Sequence, residues 1–180
     1  MFKKITLGAL ALSLGLSLAA CGSSDVSTGG SGNSTEKNEE TTEKKEAKKD
    51  DGSKRIDASN QSVDALGMKV NLGEIKIAED KISVGMNIEN TTDKALSFYP
   101  DQGKLVIGDM QLDANMFMTS GQIGGDVQGG VKQEGVIEFL APEGKKIDVN
   151  AVKEIKLLFG DVITEDLMQN KAVEFIVSVE

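Results

Sequence analysis

The sequence predicts an all-β protein, an antiparallel β-sandwich of seven to nine short strands over residues 56–180, preceded by a signal peptide and a disordered linker. Three observations carry this expectation. Residues 82–89 (ISVGMNIE) alternate apolar with small or polar side chains over eight positions, the pattern of a strand with one buried face. Comparable runs recur through the last 125 residues with turn-forming Asn, Asp, Gly and Pro between them. Helical periodicity is almost absent, and only Thr164–Met168 suits a single capped turn, with Thr164 as its N-cap.

Taken in order, the chain opens with Lys3 and Lys4, an apolar run over residues 5–18, and the small pair Ala19-Ala20. That is the layout of an export signal, and the run is shorter than the roughly 20 residues that span a bilayer. Cys21 follows at once and is the only cysteine, so no intrachain disulfide can form. Leu18-Ala19-Ala20-Cys21 resembles the lipobox of bacterial lipoproteins. The resemblance implies cleavage between Ala20 and Cys21 and a diacylglyceryl group on the Cys21 thiol. It places the chain on the outer face of the cell membrane, lipid-anchored.

Residues 21–55 read as the lipidated cysteine and a tether. Gly, Ser and Thr give way to a Lys/Glu mixture, and apart from Val26 and Ala47 nothing there can be buried. As a coil, the 34 residues after Cys21 would span about 30 Å. Ser34-Thr35-Glu36-Lys37 matches a Ser-x-x-Lys pattern, but a tether has no fold to position the lysine.

In the domain, residues 68–73 and 74–77 alternate, residues 78–81 form a polar turn, and residues 75–88 read as a hairpin. Residues 90–94 (NTTDK) supply the next turn before a strand over 95–99. Residues 104–107 and 110–112 flank Gly108-Asp109, again hairpin-like. Strands follow at 136–140, 152–159 and 173–179, the first ending in a type I turn at Ala141-Pro142-Glu143-Gly144. The five phenylalanines of the domain, Phe98, Phe117, Phe139, Phe159 and Phe175, are expected in the core.

Residues 73–77 (GEIKI), the run 88–98 (IENTTDKALSF) and residues 133–139 resemble the uncharacterised immunoglobulin-like domains of secreted and lipid-anchored proteins of Gram-positive bacteria, over a stretch from about Leu72 to Glu180. The resemblance implies an immunoglobulin-like sandwich and carries no chemistry, since its motifs are a turn and two buried strands.

Composition narrows function. There is no histidine, which removes Ser-His-Asp and Cys-His arrangements and imidazole-ligated zinc. Sugar sites favour aromatic platforms, and the chain has no tryptophan and one tyrosine. Residues 56–180 carry 11 basic and 21 acidic side chains, so nucleic acid is a poor partner. Asp101, Asp109, Asp113 and Asp126 flank loops, yet no calcium-loop spacing links them, and no metal or cofactor is expected. Two loops stand out as ligand-binding candidates: Tyr99-Pro100-Asp101, and the glycine-rich 120–130 stretch with Gly121, Gly124, Gly125 and Asp126. The expected role is a non-catalytic binding or accessory domain for a protein, peptide or cell-wall ligand. The alternative is a protease inhibitor presenting residues 121–130.

Overall fold

The computed structural model describes residues 26–30 and 52–179. Ala20, Cys21, the apolar run and the Ser34–Lys37 match lie outside the described residues. Twelve antiparallel strands form one continuous open sheet that is folded over in a sandwich-like arrangement: β1 (Lys54–Asp57), β2 (Ser62–Ala65), β3 (Met68–Ile77), β4 (Lys81–Asn90), β5 (Leu96–Phe98), β6 (Lys104–Ile107), β7 (Met110–Ala114), β8 (Ser120–Gln122), β9 (Gly125–Val127), β10 (Lys132–Leu140), β11 (Glu154–Thr164) and β12 (Asn170–Ser178). The order β1-β3-β4-β10-β7-β6-β11-β5-β9 runs through the sheet, with β2 beside β3, β8 beside β10 and β12 beside β11.

Alternation of inward and outward residues, shifted once in β11 by a bulge between Leu158 and Asp161, makes this closure possible. Ile82, Val84, Met86 and Ile88 point inward from β4 and are at most 1% exposed, and Ile155, Leu157, Phe159 and Val162 do the same from β11. Phe139 stacks at a tilt on Phe159, ring centres 6.1 Å apart, and Phe159 meets Phe175 edge-on at 6.2 Å. Asn90 closes one end of the core. It is fully buried; its Nδ2 donates to the carbonyls of Lys94 (2.7 Å) and Val127 (2.8 Å), and its Oδ1 accepts from Thr92 N (3.0 Å) and Thr92 Oγ1 (2.8 Å).

Several expectations are corrected in detail. The strands number twelve because β1, β2, β8 and β9, each of three or four residues, are too short to show a period. Thr164–Met168 forms the β11–β12 turn in place of a helical one. Thr164 Oγ1 accepts from Gln169 N (3.1 Å), and Leu167 takes φ +59°, which a helix does not allow. The turn expected at residues 141–144 closes one residue later, with Lys145 N donating to Pro142 O at 2.9 Å. Phe117 is 92% exposed, because its loop leaves the ladder between β7 and β8.

The tether also departs from expectation. Lys54 and Arg55 belong to β1, and residues 26–30 lie on the outer face of β3, β4 and β10. A bulge in β3 sets Gly73 and Glu74 opposite Gly85 and leaves the Glu74 amide outside the β4 ladder; it donates to Ser27 O at 2.8 Å. Asn87 Nδ2 donates to Thr28 O (2.9 Å), Thr28 Oγ1 donates to Glu134 Oε2 (3.0 Å), and Ser27 N donates to Glu74 Oε2 (3.2 Å). Val26 lies over Gly85 and is 5% exposed. Opposite Gly85 in register is Val136, which points outward yet is 1% exposed; neither valine belongs to the central core.

Candidate functional site

Pairing of β5 with β9 sets Ser97 opposite Asp126 and Phe98 opposite Gly125. Asp126 Oδ1 thereby accepts from Ser97 Oγ at 2.7 Å and from the Tyr99 hydroxyl at 3.3 Å. Tyr99 stays 43% exposed, and the charge of Asp126, then desolvation, the Asp126 hydrogen bond and the charge of Asp101, hold its phenol above the usual 10. Gly124, at φ +96°, packs on Pro100; a Cβ there would stand 2.8 Å from the Phe98 carbonyl oxygen. Tyr99, Asp101, Gly124, Gly125 and Asp126 are thus brought to one exposed edge.

Gly121 is not part of that group. It sits opposite Gly135 in the β8–β10 ladder, where a Cβ would lie 2.5 Å from the Glu134 carbonyl oxygen. The 120–130 stretch, expected as a loose connection, spends six residues in β8 and β9. Asp109 sits in the β6–β7 turn, and Asp113 is 2.9 Å from Lys104. Among the described residues, no three His, Cys, Asp or Glu side chains gather as a metal site.

A cleft of about 470 Å³ lies next to this edge, lined by Leu66, Thr92, Asp93, Lys94, Ala95 and Leu96 on one side and by Thr164, Glu165, Asp166 and Gln169 on the other. Leu96 lines it, and the next residue, Ser97, holds Asp126, so cleft and edge are continuous along β5. Asp166 stays below the ordinary carboxylate range because Thr164 Oγ1 (2.7 Å) and Met168 N (3.0 Å) donate to it and Lys94 adds its charge. Leu167 and Met168, 77% and 81% exposed, stand on the same turn. Apolar walls, fixed carboxylates and one lysine suit capture of a ligand with mixed polarity.

Sequence reasoning reached the edge but missed the cleft. Apart from Leu66 in the β2–β3 turn, its residues fall in two segments about 70 positions apart, which the β5–β11 pairing of Leu96 with Thr164 unites. A signal for the docked segment was present: glycines at 73 and 85 inside strong strands mark close backbone approach.

No family model and no curated protein matches the chain. Among solved structures, it is similar to a functionally unknown protein from Listeria monocytogenes EGD-e, at 11% identity and a TM-score of 0.52, covering 71% of this chain and 86% of that one. It is also similar to the yjhA protein from Bacillus subtilis, at 12% identity and a TM-score of 0.45, covering 69% and 100%. The first likeness is one of fold alone.

Proposed function

We propose that the chain is a lipid-anchored extracytoplasmic binding module, held at the outer face of the cell membrane through Cys21 and working without catalysis. The binding half rests on one observation: the cleft between Leu66, Lys94 and Leu96 and the Thr164–Gln169 turn, continuous with the Tyr99–Asp126 edge. Three of its ten lining residues are carboxylates, and the domain carries ten more acidic than basic side chains, so the fitting ligand is a peptide or cell-wall fragment offering a cationic group beside an apolar one. The anchoring half is supported by Leu18-Ala19-Ala20-Cys21 and by the absence of any second cysteine.

Amide NMR of the protein titrated with cationic peptides and soluble cell-wall fragments tests the first half. Shifts confined to residues 92–99, 124–127 and 164–169, lost in Asp166→Asn, support it; saturable shifts elsewhere, or none, overturn it. Release of Cys21→Ala from the membrane fraction tests the second half.

A further inference from the structure

We propose that the flank of the sandwich beside Val26 rests on the lipid bilayer, with the Met116-Phe117-Met118 loop seated in its interfacial layer. The inference rests on the lipid anchor at Cys21 argued above.

Chain length is the first argument. Val26 is fixed over Gly85, and only four residues lie between it and Cys21, five Cα-to-Cα steps with a contour of at most about 17 Å. Residues 26–30 run in the direction of β4: Ser27 meets Glu74, Thr28 meets Asn87, and Gly30 lies by Glu134. The end nearer Cys21 therefore points toward the Ser83–Glu138 pair, one row beyond Gly85 and Val136. On the far side of that row Asn115 N donates to Glu138 O (2.8 Å), and Ser120 lies opposite Val136, so the 115–119 loop begins and ends on these same two rows. Two strand spacings, about 10 Å, separate it from the docked segment. Leu167 and Met168 sit beyond the other end of β4, near Lys94 and Asp166.

The loop itself is the second argument. Phe117 is 92% exposed, with Met116 at 49% and Met118 at 44%, three adjacent large apolar side chains turned to water. Two of its amides are already provided for: Phe117 N donates to Asn115 Oδ1 (3.0 Å) and Met118 N donates to Asn115 O (3.0 Å), a carbonyl that also accepts from Thr119 Oγ1 (3.3 Å). Those two amides enter a lipid interface without being stripped of partners. Two of the neighbouring carboxylates are paired: Glu138 is 3.2 Å from Lys81, and Glu79 is 2.6 Å from Lys146. These pairs offset part of the domain's acidity where headgroups would meet it.

With no native tryptophan, Phe117→Trp and Leu167→Trp each place a single fluorophore. The full chain, produced in a bacterial host that processes lipoboxes, is reconstituted in vesicles of phosphatidylcholine and phosphatidylglycerol containing brominated lipid. In a parallel sample the Cys21 thiol is coupled to a maleimide lipid, so that orientation is tested whether or not the cell acylates it. The expected result is blue-shifted emission from the Phe117→Trp protein, quenched at least roughly twofold more than that of the Leu167→Trp protein, with the difference lost when Gly85→Ala is added. Equal quenching of the two variants, or water-like emission from vesicle-bound Phe117→Trp, overturns the proposal. Failure of the cell-derived sample to carry acyl mass counts against the anchor instead, and the coupled sample then decides whether the flank has affinity for lipid. An indole at position 117 that is shielded only when envelope proteins are added would assign the loop to a protein partner and also overturn it.

Discussion

Gly85→Ala tests the docking of residues 26–30 with one methyl group. An added Cβ would overlap the Ser27 carbonyl oxygen and lie 2.8 Å from the Ser27 carbonyl carbon, both backbone atoms that cannot rotate away. Docking buries Val26, worth about 2 kcal/mol, and covers Val136, worth about 1. The bonds to Ser27 O and Thr28 O add about 1 kcal/mol each, and the two exposed bonds to Glu74 and Glu134 about 0.5 each. Against that total of about 6 kcal/mol stands an ordering cost of about 1 kcal/mol for each of five residues. The net is about 1 kcal/mol, enough to hold the segment and small enough to lose to one clash.

The strand itself responds with the opposite sign, since glycine within a strand costs roughly 0.5–1 kcal/mol relative to alanine. Gly85→Ala should therefore lower stability by no more than about 0.5 kcal/mol in the native background and raise it by about 0.5 in a Val26→Asp background, a coupling of about 1 kcal/mol. Urea denaturation of the four proteins measures the cycle. Hydrogen exchange at the Glu74 amide, whose acceptor is Ser27 O, should lose roughly fivefold protection in Gly85→Ala. Zero coupling together with undiminished protection at Glu74 would refute the reasoning.

Asn90→Ala strands the buried Val127 carbonyl, leaves the Lys94 carbonyl with Thr92 Oγ1 as its side-chain donor, and frees the 91–95 turn, so the urea midpoint should fall by the equivalent of about 1–3 kcal/mol with an unchanged m-value. Phe139→Ala should cost about 3–5 kcal/mol, whereas Phe117→Ala should stay within about 0.5, which the same denaturation series checks. The single tyrosine gives a direct pH readout: its absorbance titration should have a midpoint above 10, moving down in Asp126→Asn. Because that pKa is raised in the folded state, the stability linked to it is complete below pH 10 and is lost as pH rises through the folded value, which alkaline unfolding curves of the two proteins would reveal.

What the sequence made legible was whatever period two encodes. Residues 82–89 announce their strand because apolar side chains alternate with small or polar ones, and residues 173–179 because one face is buried and the other wet. Gly108-Asp109 announces the β6–β7 hairpin, and Gly108 takes φ +55° there. Three-residue strands such as β8 and β9 carry too few alternations to register, and their glycines read as looseness when Gly121 and Gly135 are in fact opposed in a tight ladder. Phe117 reads as core because apolar composition does not say which way a loop faces. Of the site, Tyr99 and Asp126 can be named from rarity and loop chemistry, but their contact depends on the β5–β9 register. The docked segment escapes a sequence reading because its partners, Glu74, Asn87 and Glu134, are scattered over three strands and bond mainly to its backbone, which leaves little trace in side-chain pattern.

The central claim is that a binding domain is held on the membrane through Cys21 with its Val26 flank against the lipid. Neutron reflectometry of the acylated chain on a supported bilayer measures the gap directly. Protein density continuous with the headgroup layer is the predicted profile. A water-filled gap approaching the roughly 30 Å of a free 34-residue spacer would contradict it.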